Sequence, residues 1–439
     1  MTLKVPVVWI SWLSASLLAA DVCMAQKIPS KPLPTDPQES QEESIQPRKP
    51  DTFSLGAQSM AESMLDGTRH HIGFTLGVYG AYTSNVFASY QQRRDSVFSS
   101  FVPRVFINLG KRKSQLHVSF GGGYRLYNGH RDLDSADYYG NARYSLALSK
   151  RTTLQITDRM SSSKNDAGSF VYAPIFAPIA ASSGSYYDIL LSRQRVTRNA
   201  MAASLNFQVG KKHNFGVFTG YDSYRYQVDS PVNANVIEVG GDYRVNLTKW
   251  LVLSNSYATY LTNVDERFRD ARIHRLEAGG LDFRLSRTWR FWASGGVEVS
   301  QYQGVNRVGP SATASVFHMS RKAAVNIMYH KGFASAVGLS RVLNSDNFNA
   351  RMGYRVTSWI LATLQAAYYR SSEQSGAGIL RTLWGGGGFE FALVNGLVAS
   401  VNYSYQNQKA QYFTTSTQLG LNRYVARLGL QYFWPSSGR

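Results

Sequence analysis

Side chains capable of chemistry are plentiful in this chain, but their spacing argues against catalysis. The eight histidines, His70, His71, His117, His130, His213, His274, His318 and His330, contain no HExxH or other metal-ligand spacing. None has an Asp or Ser nearby in a recognisable relay, and His117 and Asp158 could converge in space only as any two barrel residues could. The single cysteine, Cys23, lies near the N-terminus, so the rest of the chain has neither a disulfide nor a thiolate site. Gly385 to Gly388 is followed by strand-like Phe389 to Val394 instead of a helix, so it is no phosphate loop. Small residues there let neighbouring strands curve or a neighbour's aromatic ring pack over them. The expectation is a protein that is no enzyme and uses no cofactor or metal.

What the charged residues do show is alternation. Successive side chains of a strand point to opposite faces, and many runs divide cleanly. Val97, Phe101, Val105, Ile107 and Leu109 share one face, with Ser100, Arg104 and Asn108 on the other. Leu116, Val118, Phe120, Tyr124 and Leu126 oppose His117, Ser119 and Arg125, and Tyr138, Ala142, Tyr144, Leu146 and Leu148 oppose Asn141, Arg143 and Ser145. The same division recurs at Ile237 to Leu247, Leu281 to Leu285, Ala350 to Val356 and Leu397 to Gln406. The polar face carries Arg, Asp, Asn, Ser and Gly where a soluble sandwich would carry Lys and Glu, which suits a wet interior.

Short basic turns punctuate these runs. Leu148-Ser149-Lys150-Arg151-Thr152 has near-copies at Leu109 to Lys113, Val209 to Lys212, Leu247 to Trp250, Leu285 to Trp289 and Met319 to Lys322. Val356 to Trp359 and Val394 to Gly396 hold the same place without the charge. They lie roughly 34 to 39 residues apart, with one gap of about 61, and such a period marks a repeated supersecondary unit. Each unit reads as strand, long connection, strand, short turn. The longer connections fall at Asn128 to Ser135, Asp229 to Asn235, Asp265 to Arg272, Ala334 to Asp346 and Ser371 to Gly378. Strict alternation of short and long connections is the asymmetry of outer-membrane barrels, with short turns periplasmic and long loops outside. Eight short turns and two terminal strands predict an all-β, antiparallel up-and-down transmembrane barrel of about 18 strands (roughly 16 to 18), closed because an unpaired edge in lipid is expensive.

Composition agrees. Aromatic residues make up 13% of the chain and charged residues only 17%, with 37 glycines and 27 tyrosines. No apolar run of about 18 residues exists beyond the N-terminus, which excludes helical spans. Residues 1–25 read as a secretory signal peptide, with Lys4, an apolar Val5 to Ala20 and a small-x-small Cys23-Met24-Ala25 before Gln26. Residues 26–68, rich in Pro, Gln and Glu, predict a disordered periplasmic segment. Residues 69–434 then form the barrel, and 435–439 a tail. The chain's formal net charge is +19. About eleven basic residues sit in the short turns, where they would face lipid phosphates, so membrane anchoring explains them and nucleic acid is not an expected partner.

The last strand alternates Tyr424, Ala426, Leu428, Leu430, Tyr432 and Trp434 against Arg427, Gly429 and Gln431. It resembles the terminal strand read by the barrel assembly machinery, with Tyr432 and Trp434 as the signal, though Pro435 to Arg439 extend past the point where that pattern stops. In the N-terminal half, Tyr82-Thr83-Ser84-Asn85-Val86, Asp95 to Pro103, Tyr124 to Tyr127, Asp137-Tyr138 and Leu148 to Thr152 resemble the β-barrel porin family found with exopolysaccharide assembly clusters. The resemblance covers Tyr79 to Met160 through short, degenerate motifs. It implies an outer-membrane barrel serving polysaccharide export, with polysaccharide and periplasmic export proteins as partners; composition alone shows the barrel.

A barrel of this size is too wide for side chains to fill, so its lumen holds water or a plug. The register predicts inward Arg104, Arg125, Arg143 and Arg198, then Asp222, Glu238, Asp242 and Arg244. Asp282, Arg284, Glu298, Arg351, Arg355, Glu390 and Arg427 complete the inward set. Arginines outnumber acids, which favours anionic solutes, including acidic sugars. The same residues could instead brace the wall as Arg-carboxylate pairs. Inward Tyr127, Tyr139, Trp292, Tyr302, Tyr369 and Trp384 are candidate stacking platforms for sugars, or ordinary rim packing. Within the long gap, the apolar run containing Phe170, Tyr172, Pro174, Phe176 and Pro178 is expected either to enter the mouth as a constriction or to pack on neighbouring loops. Three functions follow: a channel for export or anion diffusion, a structural or adhesive barrel with a blocked lumen, and an outer-membrane barrel enzyme.

Overall fold

A computed structural model describes residues 72–434 apart from 87–93, 112, 165–194, 227–232, 265–270, 303, 337–340, 374–377, 395 and 412–420. The expected signal peptide, periplasmic segment and tail lie outside the described residues. Eighteen strands follow one another. The first six are β1 (Ile72–Thr83), β2 (Ser96–Lys111), β3 (Ser114–Tyr127), β4 (Ser135–Ala147), β5 (Thr152–Lys164) and β6 (Arg195–Val209). Next come β7 (His213–Tyr226), β8 (Ala234–Asn246), β9 (Leu251–Val264), β10 (Ala271–Arg284), β11 (Trp289–Tyr302) and β12 (Val305–Met319). The last six are β13 (Ala323–Ala336), β14 (Arg341–Arg355), β15 (Ile360–Glu373), β16 (Ile379–Val394), β17 (Leu397–Gln411) and β18 (Leu421–Trp434). Each pairs antiparallel with its chain neighbours, and β1 pairs with both β2 and β18, so the sheet closes. Strands of 12 to 16 residues exceed the roughly 9 to 11 that a tilted strand needs to cross hydrocarbon.

The faces sort as the alternation predicts. Val97, Phe101 and Val105 of β2 are exposed on the outside while Phe98, Ser100 and Phe106 are buried inside. The band continues around the ring through residues such as Tyr221, Val239, Leu276, Val297, Leu364 and Leu428. A closed ladder with such an exterior satisfies its backbone internally and offers lipid an apolar wall.

The short turns are held by a residue type the basic motif did not single out. Thr248 Oγ1 accepts from the N–H of Trp250 at 3.2 Å and Leu251 at 3.0 Å; Ser286 Oγ accepts from Thr288 and Trp289, both at 3.1 Å. Thr357 does the same for Trp359 and Ile360. Where a copy carries Ser or Thr, that side chain closes the turn, and the Trp that follows it in some copies lies outside: Trp250 stacks on Phe283 at 6.3 Å, and Trp359 packs near Phe391.

Two expectations about the opposite end are corrected. Alternation of short with long connections is not strict, because β11 and β12 are joined at that end by residues 303–304 alone, with Gly304 at φ 77° making the tight reversal. Ala334 to Asp346 is not a long connection, since β13 runs to Ala336 and β14 starts at Arg341. Within it 334–336 and 341–346 are strand residues, β14 stays paired with β15 as far as Leu343, and the end of β13 has no ladder to β12.

Candidate functional site

The lumen is the site. Arg104, Arg125, Arg143, Arg198, Asp222, Glu238, Asp242, Arg244, Asp282, Arg284, Glu298, Arg351, Arg355, Glu390 and Arg427 all occupy inward register positions. Several are braced. Arg125 meets Asp137 at 2.5 Å with both side chains buried, and Arg198 holds Asp222 in a fork at 3.0 and 2.5 Å. Arg244 pairs with Asp242 at 2.8 Å, and Arg290 binds Asp282 across β10 and β11. Of the inward aromatics, Tyr127 is buried, Tyr139 lies under Arg104 at 6.0 Å, and Tyr369 donates to Asn349 at 2.9 Å. Those three belong to the wall, while Trp292 and Trp384 are half-buried.

Across β4, β5 and β6 the inner wall is more open. Arg143 lies opposite Thr157; Arg159, two residues up β5, lies opposite Asn141 and Ala200; Arg198 lies opposite Ser161, two further up. The three guanidinium groups therefore climb the wall diagonally, one per strand. Arg143 and Arg159 are exposed, and Arg198 is partly so. The Gln155 side-chain oxygen accepts from Arg143 at 2.7 Å, a neutral partner, and no carboxylate pairs with Arg143 among the described residues. Arg159 joins the inward set although its neighbour Asp158 takes the other face.

Toward the long-connection end the lumen narrows from two nearly opposite arcs. On the first, the connection after β3 makes a one-turn 3-10 helix, Arg131–Leu133, and tucks Leu133 against Phe98, Tyr127 and Val86. Asp134 Oδ1 accepts from the N–H of Tyr127 at 2.8 Å. On the second arc, the β12–β13 ladder ends at Ala312 and Lys331. Above it the β13–β14 hairpin leaves the wall and lies inside. Phe333 and Val342, outward by alternation, pack instead on inward Ala258, Tyr260, Ala271 and Ile273 of β9 and β10. Two glycines make room: a Cβ on Gly309 would sit 2.9 Å from Phe333 Cζ, and one on Gly332 would sit 2.5 Å from Glu298 Oε1. Pro310 adds a position with no N–H to pair, where a ladder readily ends.

Beneath the hairpin lies a buried polar network. Glu298 accepts from Arg275 Nε and from the N–H of Phe333. Arg275 Nη2 donates to His330 Nε2 at 3.1 Å, and because a guanidinium only donates, that nitrogen accepts and the imidazole is neutral with its proton on Nδ1. Nδ1–H then donates to Thr313 Oγ1 at 3.0 Å, and Thr313 donates to Glu277 at 3.2 Å. Ser294 at 2.7 Å and Ser311 at 3.0 Å also donate to Glu277. Buried carboxylates held by several donors make a rigid wall. Alternation in the sequence marks Glu298 alone of this network as a site residue; the hairpin's inward course brings Arg275, Glu277 and His330 to it.

The remaining expectations fall as follows. Phe170, Tyr172, Pro174, Phe176 and Pro178 lie outside the described residues. His117 faces inward and bonds Asn108 at 2.5 Å, whereas Asp158 faces outward opposite Ala142 and Met201, so they do not converge. Tyr432 and Trp434 face outward on β18, and Trp434 stacks on Phe74 of β1 at 5.7 Å, at the seam that closes the ring. The Tyr82 to Val86 segment lies at the other end of that seam: Ser84 N–H donates to Tyr424 O at 3.1 Å, Asn85 Nδ2 to Asn422 O at 3.0 Å, and Val86 is buried in the rim cluster.

The protein is an outer-membrane β-barrel of 18 strands. No family model matches the sequence, and no curated protein does. Among solved structures it is similar to the outer membrane protein OpdK from Pseudomonas aeruginosa, at 10% identity and TM-score 0.43, over 82% of this chain and 98% of that one. It is also similar to Pseudomonas aeruginosa OccK2 in complex with glucuronate, at 8% identity and TM-score 0.45, over 83% and 97%. Acinetobacter baumannii OccAB4 is a third, at 9% identity and TM-score 0.42, over 83% and 98%.

Proposed function

We propose that the barrel is a water-filled channel for anionic solutes of small-saccharide size, acidic sugars being the class its inner wall suits best. The observation that carries this reading is the diagonal of Arg143, Arg159 and Arg198, where, among the described residues, only the last has a carboxylate, Asp222, as partner. A staircase of cations in a narrowed bore attracts anions and passes them from one guanidinium to the next. Reconstitution in planar bilayers under a salt gradient tests it. The wild type should give an anion-selective reversal potential, and Arg143→Gln with Arg159→Gln should move that potential toward zero at nearly unchanged conductance. A cation-selective channel, or a potential indifferent to both substitutions, would refute the reading.

Export of an acidic exopolysaccharide is the narrower form of the same proposal. It draws on the resemblance in Tyr79 to Met160, whose Thr83, Asn85 and Val86 are buried at the rim and speak for shared construction more than for cargo. Block of the current by an acidic oligosaccharide added from the periplasmic side, and not by its neutral counterpart, would support it. A barrel closed by the two infolded arcs is the rival reading, and it predicts no conductance at all.

A further inference from the structure

We propose that the outer face of β15 to β17 binds the phosphate groups of a phosphorylated saccharolipid of the outer leaflet, through Arg370, Arg381 and Lys409. The three are directly opposite one another in the ladders, Arg370 with Arg381 and Arg381 with Lys409, so three cations stand abreast on adjacent strands. All are exposed. Their side is fixed by alternation: two residues down each strand come outward Tyr368, Leu383 and Asn407, which also form one row.

Like charges directly across a ladder destabilise it unless something neutralises them. Among the described residues none of the three has a hydrogen-bond or ion partner. The nearest acid, Asp346, lies opposite Arg370 but is held by Lys331 at 3.2 Å and Tyr329 at 2.9 Å. In sequence, the connections that leave these strands, 374–377 and 412–420, contain no Asp or Glu. Three other outward cations at this end are held by neighbouring backbone. Lys164 donates to Asp132 O and Asp134 O, Arg195 to Ala136 O, and Arg225 to Tyr224 O.

The height of the row identifies the ligand. Immediately beneath it runs an aromatic and apolar row, Tyr329, Phe348, Tyr368 and Leu383, directly paired strand to strand. Aromatic girdles mark the membrane interface, so cations one pleat above, at the end with the longer connections, lie at headgroup level of the outer leaflet. Two or more fixed phosphates on a rigid sugar scaffold match three abreast cations better than a single mobile phosphodiester does, because both sides are preorganised.

Titrating the full-length barrel in neutral detergent with bisphosphorylated lipid A tests the assignment. The wild type should bind it well above its dephosphorylated form. One headgroup-level cation is worth roughly a fivefold factor, so Lys409→Gln should weaken binding about fivefold and the triple Gln variant roughly a hundredfold. Arg370→Lys with Arg381→Lys, which keeps the charge, should retain most of it. Equal binding by wild type and triple variant would overturn the proposal. So would indifference to dephosphorylation, or equal affinity for phosphatidylglycerol, which would make the row a general anionic-lipid contact.

Discussion

Truncating Phe333 should release the infolded hairpin and enlarge the channel. The ring is 5% exposed and rests on inward Tyr260 and Ile273 and over Gly309. Truncating a buried Phe to Ala costs about 3 to 5 kcal/mol. Only the docked state loses this packing, so even the lower figure changes the ratio of docked to released hairpin roughly a hundredfold. The Glu298 bond to the Phe333 N–H is a backbone contact and survives the substitution, which keeps the docked form populated as a minor or equal partner. Single-channel recording should therefore show Phe333→Ala visiting a second, larger conductance level that the wild type rarely reaches. Gly309→Leu, which fills the seat from the other side, and Gly332→Ala, whose Cβ would collide with Glu298, should reach the same level. If all three keep the wild-type level and its noise, the hairpin does not limit the bore and the second arc is not a constriction.

Other predictions concern the wall and the seam. Arg125→Met takes away the buried guanidinium that faces Asp137 and should cost about 3 to 5 kcal/mol, read as a lower unfolding midpoint in detergent. Arg244→Met breaks a pair whose guanidinium is solvent-exposed and should move the midpoint less than Arg125→Met does. Trp434→Ala removes the stack on Phe74 where β18 meets β1. It should slow the appearance of the heat-resistant closed form during refolding while leaving the conductance of assembled channels unchanged.

Much of the architecture could be read from the chain because a barrel strand repeats one rule. A single alternation, as in Leu116 to Leu126 against His117 to Arg125, decides lipid or lumen for every side chain, and the ladder then fixes its neighbours. The turn motif likewise located both strand ends. What alternation cannot show is where a strand stops following its neighbour. Phe333 continues the outward series Ile327, Tyr329 and Lys331 in sequence, yet it lies inside because the β12–β13 ladder ends below it. The available signals were Gly309, Pro310 and Gly332, two missing side chains and a missing N–H clustered beside one pair of strands. Asp158 shows the converse difficulty. An acid is an obvious candidate for the lumen, but its parity with Ile156 and Met160 places it outside, and Arg159 takes the inner position.

The stopping point of the β12–β13 ladder also sets the barrel's draught in the bilayer. Above Ala312 one flank of β12 carries peptide groups with no ladder partner on that side, and in hydrocarbon each such group costs several kcal/mol. The oily layer must therefore end at or beneath the Ala312 and Lys331 pair. Stepping across the strands from that pair leads through Asp346 and Arg370 to Arg381 and Lys409. A break in the backbone fabric on one arc and a line of ions on the next thus belong to one ladder row, which runs oblique to the membrane because the strands tilt, and at the broken ladder the vessel cannot ride any lower.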